Sequence, residues 1–439
     1  MRHPTSPERR NRSVRRSPAL MALMLPLALL VPWGVGPRSA ARDVAIPMYA
    51  VSRADGPVLL DAIREIKADG TVVLGKPPDF SSDQVISLRR LGPARPAFPS
   101  GPHVILVNGD RLTGYVTGLT GERLELHQPR FRNKRPFTIP LSAVALLWFH
   151  DPAGLEEPER LRRQVLAQRR TRDVLWLRNG DRIEGTLESI DGATGTVMVS
   201  SESGTVRLDR DQVAFIALNS ELAQNLRPDK PYWLAVLADG SRVSFASLRS
   251  DEGQALVGGD QSLVGQTLTG SAVEVPVSTL LALERYNGRA VFLSDLQPRA
   301  YEFRPFNDGG PSWPLVRDGS VGGRELRLGG SVYEKGLGLH SQSRVTYDLN
   351  GTYRFFEAVV GLDEQTGRGG CARIQVLVDG QPRDLGFDGT IGHEDTPRPI
   401  QVRVAGAREL TLVVDFGVRG RFLWDAHNHV NWADARLIR

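Results

Sequence analysis

Val104-Ile-Leu-Val-Asn108-Gly109-Asp110-Arg111-Leu112-Thr113-Gly114 is a hairpin written in sequence, two apolar runs folded about Asn-Gly. It returns as Val174-Leu-Trp-Leu-Arg-Asn179-Gly180-Asp181-Arg182-Ile183-Glu184-Gly185, and again, more weakly, as Leu234-Ala-Val-Leu-Ala-Asp239-Gly240-Ser241-Arg242-Val243. Asn-Gly and Asp-Gly between alternating runs are the strongest short hairpin signal, because the two-residue turn that matches strand twist needs positive φ at both central positions. Repetition of this kind has to be settled before any motif is weighed.

Around each hairpin the pattern continues. After a polar gap comes a closing stretch: Ile139 to Phe149, then Leu208 to Leu218, then Val275 to Leu283. A degenerate fourth copy precedes them, with Ile63 to Leu74 alternating about Asp69-Gly70 and Asp83-Gln84-Val85 repeating Asp211-Gln212-Val213. Each copy offers short period-two strands, enough to close a small barrel and hide its edges. Each is expected to fold as a unit of its own. Asp110, Arg111, Asp181 and Arg182 occupy turn positions and are expected to be solvated rather than paired in an active site. The layout resembles Sm-like or SH3-like barrels. The Asp, Met-Asn and Arg-Gly elements by which Sm-like proteins bind RNA are missing, so RNA binding is not carried over.

The chain has 439 residues, which predicts about three folding units. Its net charge of +5 is concentrated in a leader, where seven arginines from Arg2 to Arg38 face the single Glu8, so the remainder carries −1. Composition therefore points to no nucleic-acid partner, since such affinity rests on many Lys and Arg contacts. In the leader, Ala19 to Val31 is apolar and Ser39-Ala40-Ala41 is small, the order of a secretory signal with a mature start near Arg42. The competing reading is an uncleaved anchor, which would be the only membrane contact. Both place the body outside the cytoplasm, in a secreted, periplasmic or cell-envelope location. A single cysteine, Cys371, excludes internal disulfides and Cys-based zinc sites.

Leu155 to Arg170 carries acids early and arginines late, as suits a helix dipole, and reads as a connecting helix whose Arg162, Arg163, Arg169, Arg170 and Arg172 are expected to form a solvated face, the alternative being a hold on a polyanionic polymer. From Tyr301 onward short strands separated by Gly, Asp and Asn turns signal an antiparallel sandwich. The expected fold is thus all-β, tandem small barrels followed by a sandwich. Its divisions are a leader at 1–41, a degenerate repeat at 42–98, repeats at 99–150 and 172–220, a helical linker at 151–171, a divergent repeat at 230–290 and the sandwich at 301–439.

Within that last segment, Gly329-Gly-Ser-Val-Tyr333-Glu334-Lys335-Gly336-Leu337-Gly338-Leu339-His340-Ser341, then Tyr347 to Tyr353, Val360-Gly361-Leu-Asp363, Val378-Asp379-Gly380 and Asn431-Trp432-Ala433-Asp434-Ala435-Arg436-Leu437 are similar to the NPCBM domain. That is the carbohydrate-binding module found beside glycosyl hydrolase family 98 and other glycosidases. The resemblance implies a galactose-binding-like β-sandwich, a jelly roll without catalysis, that holds a sugar at loops on one end. Relatives of this fold often carry a structural calcium.

Sugar sites pair an apolar ring with planar polar groups. Trp424, Asp425, His427, Asn428, His429, Asn431 and Trp432 supply that mixture within nine positions, and His340, which matches the family's histidine, joins them as a carbohydrate-binding candidate. Asp425, Asn428 and Asp434 alternatively suit a calcium ion. The structural reading makes Trp432 and Ala433 core, Asp434 a turn cap and His340 a buried structural histidine. His393-Glu394 lacks the second histidine of a helical zinc motif, and Cys371 reads as a small buried residue. No nucleophile elbow or phosphate-binding loop occurs.

The leading expectation is an exported, noncatalytic protein that binds a galactose-type sugar or an envelope polysaccharide. The alternative is an extracytoplasmic structural or protein-interaction protein whose barrels bind a protein partner and whose sandwich has no sugar affinity. A glycosidase would need a carboxylate pair across a cleft, and the barrels and sandwich leave no catalytic domain.

Overall fold

The computed structural model describes residues 46–439 except 100, 134–135, 155–156, 252–255, 257–260, 306–309, 368 and 418–426. The leader, Trp424 and Asp425 lie outside the described residues.

The three hairpin turns are built alike. Gly109, Gly180 and Gly240 donate back to the carbonyls of Leu106, Leu177 and Leu237 at 3.0, 3.0 and 3.1 Å. They have φ of 93°, 95° and 89°, while the preceding Asn108, Asn179 and Asp239 do not adopt positive φ. Each loop is therefore a turn followed by one left-handed glycine, the three-residue bulged form rather than the two-residue form with both central residues at positive φ. The side chain before the glycine explains the preference: Asn108, Asn179 and Asp239 each accept from the backbone N–H two residues on, at 3.2, 3.1 and 2.9 Å.

From the turn outward, the second unit runs His103–Leu106, Arg111–Thr113, Tyr115–Thr120, Arg123–His127, Phe137–Pro140, a single 3-10 turn and Val144–Trp148. The last strand returns to pair with the first, Leu147 opposite Val104, so that the first strand is flanked by the hairpin partner and the closing strand. The third unit, Asp173 to Ala217, and the fourth, Tyr232 to Tyr286, repeat the plan, and the first, Met48 to Arg90, keeps a reduced version of it. The repeated Asp-Gln-Val has a local cause. Gln212 accepts the Asp209 N–H at 3.2 Å in a capping box, and Gln84 accepts the Ser81 N–H at 3.0 Å.

The units are not self-contained. Closing strands pair across units: Leu146 with Ala217, Leu147 with Ile216 and Trp148 with Phe215 join the second and third. Ala282 with Arg89, Leu283 with Leu88 and Glu284 with Ser87 join the fourth and first. The expected barrels are joined by this geometry, because each closing strand leaves an outer edge of open backbone groups that the neighbour's closing strand satisfies. One buried apolar cluster accordingly runs from Tyr49 to Leu283 through all four units.

The helix Pro158–Ala167 lies against the outside of the second and third units, where Val165 packs with Ile105, Leu146, Trp148 and Phe215. Its Arg162 is buried and its Arg163 donates to the Asp318 carbonyl at 2.7 Å, so these two do not belong to a solvated face.

The C-terminal part is a sandwich of two antiparallel sheets. One orders Val316–Arg317, Gly336–His340, His429–Ile438, Phe355–Leu362 and Arg398–Arg403. The other orders Ala300–Phe303, Ser343–Asp348, Glu409–Phe416, Cys371–Val378 and Gln381–Pro382. Period-two alternation sends Leu337, Leu339, Val430, Trp432 and Leu437 of the first sheet into the shared core with Val345, Val376, Leu412 and Val414 of the second. Ala290–Phe292 already pairs with Ile438 to Arg436, so the sandwich begins about ten residues before the expected boundary at 301. A three-residue strand is too short to show alternation in sequence.

Candidate functional site

The long strand His429–Ile438 serves two regions of the sandwich. Its even-numbered residues Val430 and Trp432 point into the core, and its odd-numbered His429 and Asn431 point to the outer face of their sheet. Register places His429 directly opposite His340 at the end of Gly336–His340. The two imidazoles lie 5.3 Å apart, and the Trp313 indole stacks flat on His340 at 4.9 Å and 6° while meeting His429 edge-on at 5.2 Å. Phe303 closes the group from the other sheet, 6.1 Å from His340. Trp313 is half-buried, whereas His340 is fully buried.

The polar groups around this plate are imidazoles and one buried carboxyl. Burial, with repulsion from His340 and His427, pushes the His429 imidazole down to about 4, so it is neutral at physiological pH. Neither of its ring nitrogens has a hydrogen-bond partner among the described residues. A neutral imidazole both donates and accepts, which is what a hydroxyl group requires. Exposed His427 sits beside it, its Nδ1 2.5 Å from the Thr366 carbonyl. Asp363, whose N–H donates to the His429 carbonyl at 2.9 Å, is buried. Burial pushes its carboxyl up against opposing hydrogen bonds from Gln365, Ser320 and Asn431.

Of the residues expected from sequence, His340, His427 and His429 are brought together here. Asn428 instead has a structural duty, since its Oδ1 accepts the Cys371 N–H at 2.8 Å and its carbonyl accepts the Ser341 N–H at 3.2 Å. Asn431 is buried on the same face as His429, with its Nδ2 3.5 Å from the Arg327 carbonyl. Trp432 is fully buried core. Of the three residues of the calcium set, Asp425 lies outside the described residues and the other two do not converge. Asn428 and Asp434 are six residues apart along an extended segment, about 20 Å at strand rise, so one ion cannot touch both.

Asp434 has a different role. It occupies a bulge with φ of 50°, where the register with Phe355–Leu362 slips, and the bulge turns its carboxylate toward the repeat units. There it meets Arg89 at 2.8 Å and Arg95 at 3.3 Å. Burial opposes ionisation, but Arg89, Arg95 and Arg436 outweigh it and hold the carboxyl below the usual range. The family-like Tyr333-Glu334 segment joins the same network: Arg95 lies over the Tyr333 ring at 3.9 Å, and Glu334 pairs with Arg242. Glu325 pairs with Arg111 at 2.6 Å. Asp110, expected in solvent with Arg111, is instead buried and accepts both the N–H and the hydroxyl of Ser244 at 2.7 Å. Such buried pairs add little net stability, but removing one partner is costly, so they fix the sandwich in one orientation on the repeats.

Trp313, Phe303 and Thr366 carry no comparable signal in the sequence. Trp313 lies in Pro311-Ser-Trp313-Pro314, a passage with no periodicity, and only its isolation as an aromatic among prolines marks it.

Comparison with known proteins places these observations. Residues 289–438 match the NPCBM/NEW2 domain, and that part of the chain is an NPCBM/NEW2 domain. A Renibacterium salmoninarum protein named for an endo-alpha-N-acetylgalactosaminidase is 31% identical over 117 residues, 26% of this chain. The match spans only 7% of that protein's length. Among solved structures, the CBM51 module of Clostridium perfringens GH95 in complex with methyl-galactose is 27% identical, covering 34% of this chain and 99% of its own, with a TM-score of 0.29. The CBM51-2 and INT domains of Clostridium perfringens ZmpB in complex with GlcNAc are 21% identical, covering 44% of this chain and 43% of theirs, with a TM-score of 0.30.

Proposed function

We propose that the chain is an exported, noncatalytic carbohydrate-binding protein whose sandwich holds a neutral sugar at the Trp313, His340, His427 and His429 end, with the repeat units as a rigid base. The NPCBM/NEW2 match over 289–438 is the observation that carries this reading. The geometry supports it. A half-buried indole offers a face to the C–H side of a pyranose, and neutral His429 has two nitrogens beside it, unpartnered among the described residues, for hydroxyls. Galactose-type sugars are the first class to test, and the Arg-rich, apolar, Ser39-Ala40-Ala41 leader is the motive for export.

The test is a glycan array with the full-length chain, its Trp313→Ala and Trp424→Ala variants, and thermal melts of each. Wild type should retain a galactose-type glycan with millimolar to micromolar affinity, about 4 to 8 kcal/mol. Trp313→Ala should lose that retention with little change in melting temperature. Retention by neither wild type nor variants of a well-folded chain would favour the protein-interaction alternative.

A further inference from the structure

Where the sandwich meets the repeats, a cavity of about 910 Å³ opens between the turn Asn108–Arg111, the helix Pro158–Ala167 and the segment Tyr333–Lys335. The acidic groups on its wall are mostly engaged. Glu325 pairs with Arg111 at 2.6 Å, Asp295 and Asp318 share Lys335 at 2.5 and 2.9 Å, and Glu159 faces Arg327 at 3.3 Å. Glu334 is taken by Arg242, and Asp110 by Ser244.

The cations do not balance in the same way. Arg162 lines the cavity, is only 5% exposed, and has neither an ion pair nor a hydrogen bond among the described residues. Its guanidinium lies 4.0 Å from the centroid of Phe98 and 5.0 Å from that of Trp148, and its Nε is an unpartnered buried donor. Aromatic faces stabilise the charge but accept none of its N–H groups in the plane of the fork. Arg163, one residue on, spends a single donor on the Asp318 carbonyl, and exposed Arg227 stands at the rim. Tyr232 and Tyr286, stacked at 5.4 Å, add a ring surface to the lining of the same cavity. A guanidinium stays charged at any accessible pH, and although Glu159, Asp151 and Glu325 attract it through space, none of the described residues takes its N–H donors, which are left free for an oxyanion.

We propose that this cavity is a second binding site, separate from the sandwich end, for a small ligand that carries an oxyanion, carboxylate, sulfate or phosphate, on a ring or polyol body. The oxyanion is held by Arg162 with Arg163 and Arg227, a fork geometry suited to two parallel N–H bonds, and the body lies against Tyr232 and Tyr286.

Isothermal titration of the full chain with D-glucuronate, galactose 6-sulfate and inorganic phosphate tests this and separates the three sources of the charge. At least one should bind, with affinity falling as salt rises. Arg162→Gln should weaken it by about tenfold or more, as loss of a charge-assisted hydrogen bond predicts. Arg227→Gln alters an exposed side chain, so it should fold whatever becomes of Arg162→Gln, and should weaken binding by about threefold. Methyl galactoside should bind these variants as it binds wild type, so failure of this site and failure of the sugar site are told apart. Binding of none of the three anions to folded wild type, or unchanged affinity in Arg227→Gln, overturns the proposal.

Discussion

Asn108-Gly109-Asp110-Arg111 and Asn179-Gly180-Asp181-Arg182 are the same four residues in the same turn, yet they sit in different media. In the second unit Asp110 and Arg111 are buried against Ser244 and Glu325. In the third, Asp181 and Arg182 are exposed, and the Arg182 guanidinium only covers the Trp176 ring at 3.9 Å. Conformation at this scale is written in the four residues, whereas environment is set by which neighbour the unit meets. The second unit's turn meets the sandwich.

The largest expected contrast follows from that difference. Arg111→Ala leaves Glu325 buried without its closest cation and should cost about 3 to 5 kcal/mol, while Arg182→Ala removes an exposed cation–π contact and should cost about 1 kcal/mol or less. Urea denaturation of the full chain measures both. Equal losses would break the contrast.

Asp110 sharpens it through pH. Burial pushes its carboxyl up to about 6 against the Ser244 bonds, so the folded state takes up a proton more readily than the unfolded chain. The penalty is absent below about pH 4, grows as pH rises toward 6, and is complete above it, a change of roughly 3 kcal/mol. Asp110→Asn should therefore gain stability relative to wild type by about that amount between pH 4 and pH 7. Asp181→Asn, at an exposed position, should stay within about 0.5 kcal/mol of wild type at both. A difference curve for Asp110→Asn that is flat in pH would place Asp110 in contact with water.

The smallest contrast should be none. Gly109 and Gly180 share φ near 95°, and a Cβ added at either meets nothing within 4 Å. Gly109→Val and Gly180→Val should each cost about 1 to 2 kcal/mol from backbone strain, and by the same amount. A clear gap between them in matched melts would mean that burial reaches into the turn backbone as well.

Local features were legible in sequence for physical reasons. The turns are coded by Asn or Asp followed by Gly, the repeat by the recurring Asp-Gln-Val, and the core place of Trp432 by its alternating neighbours. His340 was legible through its family resemblance. Arg111, Arg242 and Asp434 were not, because nothing within a few residues of a charge specifies a partner more than 90 residues away, and the nearest of these pairs, Arg242 with Glu334, is separated by 92. Trp313 escaped for the opposite reason. Its flanking prolines imply a connector, and only its stacking on His340 reveals the plate.

Pairing of closing strands nests the units like brackets, second with third inside first with fourth. Chain synthesis moves in one direction, so the inner bracket shuts while the outer stays open. Arg89 must wait for Glu284, 195 residues later, and at roughly 5 to 20 residues per second that is about 10 to 40 s. A hairpin forms in microseconds, so the first unit spends nearly all of that time with its strands made and its Val85–Arg90 edge open. The hazard for this chain is therefore temporal: a nascent first unit can meet the corresponding edge on a neighbouring chain before its own fourth unit exists, and crowded polysomes should raise that risk in proportion to the delay.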